Sequence, residues 1–117
     1  MTHYMRLREA PFRKIAAGTK TYELRLFDEK RRQIAPGDAI VFTCTADEAV
    51  SVTVRVTELL RFSSFAELYK TLPLDACGYA PEEIATASPQ DMEAYYTPEE
   101  QAHFGVVAIG IRLTDTI

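Results

Sequence analysis

Between residues 39 and 60 the chain carries the pattern that most restricts how it can fold. Val50, Val52, Val54 and Val56 alternate with Ser51, Thr53, Arg55 and Thr57, the period-two pattern of a strand with one buried face. Residues 39–45, with Val41 and Phe42 among their apolar members, read as a preceding strand, and Asp47-Glu48-Ala49 as the connection. The two form a hairpin. Upstream, Ile34-Ala35-Pro36-Gly37-Asp38 is a turn, in which proline pre-sets φ and glycine supplies the positive φ of type II geometry. Residues 105–113 close the chain with Val107, Ile109, Ile111 and Leu113 alternating with Val106, Ala108, Gly110 and Arg112. Gly110 in such a strand marks a bulge or a close approach by another backbone or a ligand.

Helices fill the intervals. A first strand over residues 4–7 leads into a helix over residues 8–17, with Pro11 in its first turn and Phe12, Ile15 and Ala16 on one face. Asp28 to Gln33 is read as a charged loop. Ser64, followed by Glu67, is a capping box that opens a helix to about Thr71, before Pro73. Residues 74–81 are a loop. Ser88-Pro89 and Thr97-Pro98 each pair an N-cap with proline at the first helical position. Strands and helices in a chain of 117 residues predict one α+β domain spanning residues 1–117, a small mixed β-barrel with flanking helices.

The functional clue lies at Ala17-Gly18-Thr19-Lys20-Thr21-Tyr22-Glu23-Leu24-Arg25. Gly18 is a natural C′ residue, able to end a helix in the left-handed conformation. Thr21 to Leu26 then alternates, which places Thr21, Glu23 and Arg25 on one side of a strand and Tyr22, Leu24 and Leu26 on the other, with Lys20 in the opening turn.

Charge is divided unevenly. Residues 1–32 hold nine Lys/Arg and four Asp/Glu, whereas residues 33–117 hold four and thirteen, within a net charge of −4. The overall sign argues against nonspecific coating of DNA, and the asymmetry predicts one basic face. The alternative is a solvated helix and turn of mixed charge. No apolar run is long enough for a membrane-spanning helix, and residues 1–6 lack the apolar core of a signal peptide, so the expected location is cytoplasmic. Cys44 and Cys77 are then expected as reduced thiols in or near the core. His3 and His103 have no zinc-binding spacing, so no metal and no cofactor is assigned.

Gly18 to Arg25 resembles the GxKxxExR signature of ASCH domains, and the Pro36-Gly37-Asp38 turn and the closing strand fit the same plan across essentially the whole chain. ASCH domains resemble PUA domains, small β-barrels that commonly bind RNA. The resemblance implies a PUA-like barrel with RNA or a nucleotide-like ligand held in a cleft lined by the motif.

The residue chemistry agrees with that implication. Lys20 is a flexible point charge suited to phosphate, and Arg25 a planar fork suited to phosphate or a base edge. Glu23 can accept from an exocyclic amine or a ribose hydroxyl, or hold Lys20 and Arg25 in place. Arg13, Lys14 and Arg31 are expected to contribute the surrounding field. Tyr79, Tyr95 and Tyr96 are candidates to stack on bases, against the alternative of packing with hydroxyls at the surface. The alternative for Lys20, Glu23 and Arg25 is a salt-bridged strand face of little energetic weight.

Two other functional classes compete. Some small ASCH-like proteins remove an acyl group from a modified cytidine with a lysine, a threonine nucleophile and a glutamate. Lys20 matches that lysine, but Glu23 stands where the threonine is required, and a carboxylate does not replace an activated hydroxyl. Thr21 lies on the same face with a different reach, and Asp75 and Glu82 are candidates for the acid. A metal-independent ribonuclease would instead use Lys20 to stabilise charge and Glu23 as base. A protein partner would be met by Tyr95, Tyr96, Phe104 and the acidic helices, provided they form an exposed apolar patch.

Overall fold

The computed structural model describes residues 1–114. Its five strands are β1 (Thr2–Leu7), β2 (Tyr22–Leu26), β3 (Ala39–Cys44), β4 (Asp47–Phe62) and β5 (Val106–Leu113). They form one sheet in the order β1-β3-β4-β5-β2. β1 runs parallel to β3, and every other pair is antiparallel.

β4, 16 residues long, is the spine of the sheet. Its beginning pairs with β3 and its end with β5. The register shifts between Val56 and Glu58, opposite Gly110. A Cβ on Gly110 would lie 2.7 Å from Thr57 Oγ1 and 2.8 Å from Glu58 Cγ, so glycine is what allows the bulged strand to pass this closely. Bulges bend strands and increase their twist, and the sheet curls into a half-barrel. The mixed α+β class and the PUA-like barrel architecture expected from the sequence are the ones observed.

The sheet is covered on both faces. One cluster joins Met5, Leu7, Ile40, Phe42, Val54, Val56, Val107, Ile109 and Ile111 to Phe12 and Ile15 of helix α1 (Glu9–Ala16). Each of these two helix side chains contributes about 1.5–3 kcal/mol by burial. The other cluster joins Leu24, Leu26, Val106 and Ala108 to Phe65, Leu68, Cys77 and Met92. β5 supplies both clusters and is buried from Val106 to Ile111. Cys44 and Cys77 are buried free thiols.

Gly18 follows α1 with φ +81°, and its N–H donates to Ile15 O at 3.0 Å. In the Pro36–Gly37 turn, Gly37 has φ +94° and Asp38 N–H donates to Ala35 O at 3.0 Å, as type II geometry requires. The segment read as a charged loop contains a one-turn helix, α2 (Glu29–Arg32). Asp28 caps it by accepting from Arg31 N, a side-chain role that composition conceals. Residues 47–49 belong to β4, so the connection from β3 is limited to Thr45 and Ala46. Helix α3 (Phe65–Thr71) begins at the Ser64 cap and α4 (Pro98–Phe104) at the Thr97 cap. The Ser88 cap opens a 3₁₀ helix, Pro89–Ala94, and a further 3₁₀ helix spans Pro81–Thr86. Among the described residues no helix is long and apolar enough to cross a membrane.

Candidate functional site

The pairing of β2 with β5 decides where the charged motif points. Glu23 lies opposite Ile109 and Arg25 opposite Val107, and directly paired residues share a side of the sheet. Glu23 and Arg25 therefore project to the same face as the first apolar cluster, while Leu24 and Leu26, opposite Ala108 and Val106, enter the second. Glu23 is 3% exposed. The alternation in the sequence is real, but its polar face is an interior one.

Glu23 is clamped on both oxygens. Lys20 Nζ is 2.9 Å from its Oε1, and Arg25 Nε donates to its Oε2 at 2.7 Å. A second donor of Arg25, Nη2, reaches the Arg6 carbonyl at 3.0 Å. Burial by itself would push the Glu23 carboxyl up, but Lys20 and Arg25 outweigh it and hold the group below the usual carboxylate range. Burial pulls Arg25 down, and the Glu23 charge, with the Tyr96 phenol adding, raises it above its ordinary value. This is a desolvated ion triad, unlike the exposed strand-face pairs that contribute little.

The triad opens on a cavity of about 460 Å³. β1 brings Arg6 and Leu7, α1 and its N-cap bring Arg8 and Lys14, and β2 brings Glu23 and Arg25. The opposite wall is the segment from Cys77 to Tyr96, with Tyr69 of α3. Five cationic side chains (Arg6, Arg8, Lys14, Lys20, Arg25) face three carboxylates (Glu23, Glu83, Asp91), so the lining is net positive. Lys14 Nζ donates to Gly78 O at 2.5 Å and lies 3.6 Å from Glu83 Oε1, tying α1 to the opposite wall. Gly78, at φ +109°, packs on the Lys20 stem, where a Cβ would meet Cδ at 3.0 Å.

Tyr79, Tyr95 and Tyr96 all line this cavity. The Tyr96 ring packs against Phe65 at 6.3 Å between centroids, whereas Tyr95 is 51% exposed with the Arg8 guanidinium 4.9 Å above its ring. Tyr79 is held by hydrogen bonds to Tyr69 and Asp91, each 2.7 Å. Burial, followed by the bonds to Tyr69 and Asp91, raises the Tyr79 phenol far above its ordinary value, so it stays protonated.

The remaining expected residues are dispersed. Arg13 lies outside the cavity wall and pairs with Glu9 at 3.2 Å on the exposed face of α1. Arg31, within α2, pairs with Asp28 at 3.1 Å and does not line the cavity. Thr21 is exposed and lines a smaller crevice of about 160 Å³, which shares Lys20 with the main cavity; its backbone N–H donates to Ala76 O. Neither Asp75 nor Glu82 lines the main cavity. Cys77 does, but burial above all, opposed by Lys20 and reinforced by Asp75, pushes its thiol up to about 11. A protonated thiol is a poor nucleophile. The sequence reading did not select Arg6, Arg8, Tyr69 or Asp91. For the two arginines the signal was their place in the basic N-terminal quarter. Tyr69 and Asp91 carried none. Among the described residues, no group of three or more His, Cys, Asp or Glu is placed to hold a metal ion.

A curled five-stranded half-barrel with several helices packed on it defines a PUA-like α+β fold. The chain belongs to the ASCH domain family, whose sequence pattern matches residues 5–115. The crystal structure of the hypothetical protein PH0355 is similar, at 34% identity and a TM-score of 0.78, over 97% of this chain and 100% of that one. The solution structure of protein PF0455 from Pyrococcus furiosus is 30% identical with a TM-score of 0.67, over 99% of this chain and 100% of that one. Protein EF3133 from Enterococcus faecalis V583 shares the fold at 12% identity and a TM-score of 0.58, over 97% and 76% of the two chains. No curated protein matches the chain.

Proposed function

We propose that this chain binds RNA or a nucleotide-like ligand in the cavity beside Lys20, Glu23 and Arg25. The observation that carries the reading is the buried triad itself: Glu23 holds two cations at the wall of a net-positive cavity with tyrosines around it. Glu23 fixes both cations while leaving each with further N–H donors. Those donors are positioned before a ligand arrives, which lowers the cost of binding an anion. Arg8 forms no ion pair among the described residues and lines the same space. A volume of about 460 Å³ falls in the range of small-ligand pockets, which suits one nucleotide unit, free or within a strand.

Binding is favoured over hydrolysis by the same geometry. A carboxylate held below its usual range by two cations is a weak base at neutral pH. Thr21 is not among the residues lining this cavity and meets Lys20 only in the smaller crevice. The test is titration of a short single-stranded RNA and of nucleoside monophosphates at about 50 mM and about 200 mM salt, with wild type and Lys20→Gln. Binding that weakens with salt and with the substitution supports the reading. Absence of binding at low salt, or an unchanged affinity in Lys20→Gln, overturns it.

A further inference from the structure

The two walls of the cavity differ in what they offer a ligand. The Lys20–Arg25 wall offers donors. On the other wall Tyr79 donates its only hydroxyl proton to Asp91 Oδ2 at 2.7 Å, so in the 2.7 Å contact between the phenols Tyr69 is the donor and Tyr79 the acceptor. Both phenolic protons are thereby committed within the protein. Asp91 Oδ2 also accepts from Ser88 N–H at 3.1 Å, which fixes the carboxylate at the start of its 3₁₀ helix. Asp91 Oδ1 has no hydrogen-bond partner among the described residues, and Asp91 lines the cavity. Asp91 Oδ1, on an exposed residue at the cavity, is therefore an acceptor open to a donor group of a ligand.

Resting on the proposed nucleotide reading, we infer that Asp91, held in place by Tyr79 and Tyr69, is a specificity residue that accepts from an exocyclic amino group of the ligand's base. The ligand class is a nucleotide carrying an aminated base, with its phosphate toward the cations and its amine toward Asp91. Cytosine and adenine offer an amino group beside a ring acceptor. Uracil offers an N–H flanked by two carbonyl oxygens, which a carboxylate repels. Carboxylate acceptance from a base amine is an established mode of base discrimination.

The experiment is calorimetric titration of CMP, AMP, UMP and 2′-deoxy-CMP into wild type, Asp91→Asn and Tyr79→Phe, with a thermal melt of each variant. Wild type is expected to bind CMP and AMP at least about tenfold more tightly than UMP. Asp91→Asn is expected to abolish that ratio and Tyr79→Phe to reduce it, with all variants melting near wild type. Equal wild-type affinity for CMP and UMP overturns the inference while leaving the nucleotide reading intact. So does an equal loss for CMP and UMP in Asp91→Asn, the result if the carboxylate holds the ribose; deoxy-CMP then binds more weakly than CMP. Failure of every nucleotide to bind, with folded protein, overturns the underlying reading and the inference with it.

Discussion

Two carboxylates among the described residues are each shared between two basic groups, and only one of them lines the large cavity. Glu23 joins Lys20 and Arg25, with side-chain exposures of 11% and 14%, and lines the large cavity. Asp38 accepts from His3 Nε2 at 2.8 Å, from Ala35 N–H at 3.0 Å and from the terminal ammonium at 3.3 Å, and lines no described cavity. Its partners are the start of β1 and the Pro36–Gly37 turn, so it fastens one end of the sheet. The pairing chemistry is nearly the same in both places. What separates them is the space beside them: Lys20, Glu23 and Arg25 line the cavity, while the partners of Asp38 are engaged in holding backbone segments together. An acid between two bases is thus weak evidence for a ligand until the space beside it is known.

The largest expected effect tests the energetic side of this contrast. Glu23→Gln leaves Lys20 and Arg25 desolvated without a counter-charge and is expected to cost about 3–5 kcal/mol in urea denaturation. Asp38→Asn is expected to lower the urea midpoint by less. Equal losses would break the comparison. Gly78→Ala comes next, at about 1–3 kcal/mol for a non-glycine residue held at positive φ, and the added Cβ presses on the Lys20 stem. Its sharper consequence is weaker nucleotide binding, measured by titration, because Lys20 must shift.

The smallest effect concerns pH. The hydrogen bond from His3, followed by that from Ala35, holds the Asp38 carboxyl down at about 2, against an ordinary 3.8. A depressed folded-state value means that the ionised form stabilises the fold. That contribution is complete above pH 3.8 and disappears as pH falls to about 2. The melting temperature of Asp38→Asn should therefore lie below wild type at neutral pH and converge with it in acid. A gap that persists at the acid end would contradict this assignment.

Much of the fold was legible because local signals agreed. The hairpin alternation, the Pro36–Gly37 turn, the Gly18 stop and the Ser64 and Thr97 caps each mark one element; alternation marks β2, β4 and β5, and apolar content marks β1 and β3, all with bounds shifted by a few residues. The helix at Glu29–Arg32 was hidden because its four residues are all charged and its cap, Asp28, reads equally well as loop. For the site, the motif located Lys20, Glu23 and Arg25 together, and the helical spacing of α1 did not distinguish Lys14, which reaches Gly78, from Arg13, which turns outward to Glu9. Asp91 and Tyr69 were illegible because their meeting through Tyr79 depends on how α3 and the 3₁₀ segment pack. The burial of Glu23 was equally hidden: alternation marks two faces of a strand, and only the pairing with β5 shows that the polar one shares its side with the first apolar cluster.

In the proposed reading the Glu23 cluster binds a ligand and the Asp38 cluster does not. The most direct test is the affinity of one nucleoside monophosphate, at low salt, for wild type, Lys20→Gln and Asp38→Asn. At least about a tenfold loss is expected in Lys20→Gln, appropriate to losing a charge-assisted contact, and no change in Asp38→Asn. Equal affinity for all three proteins would contradict it.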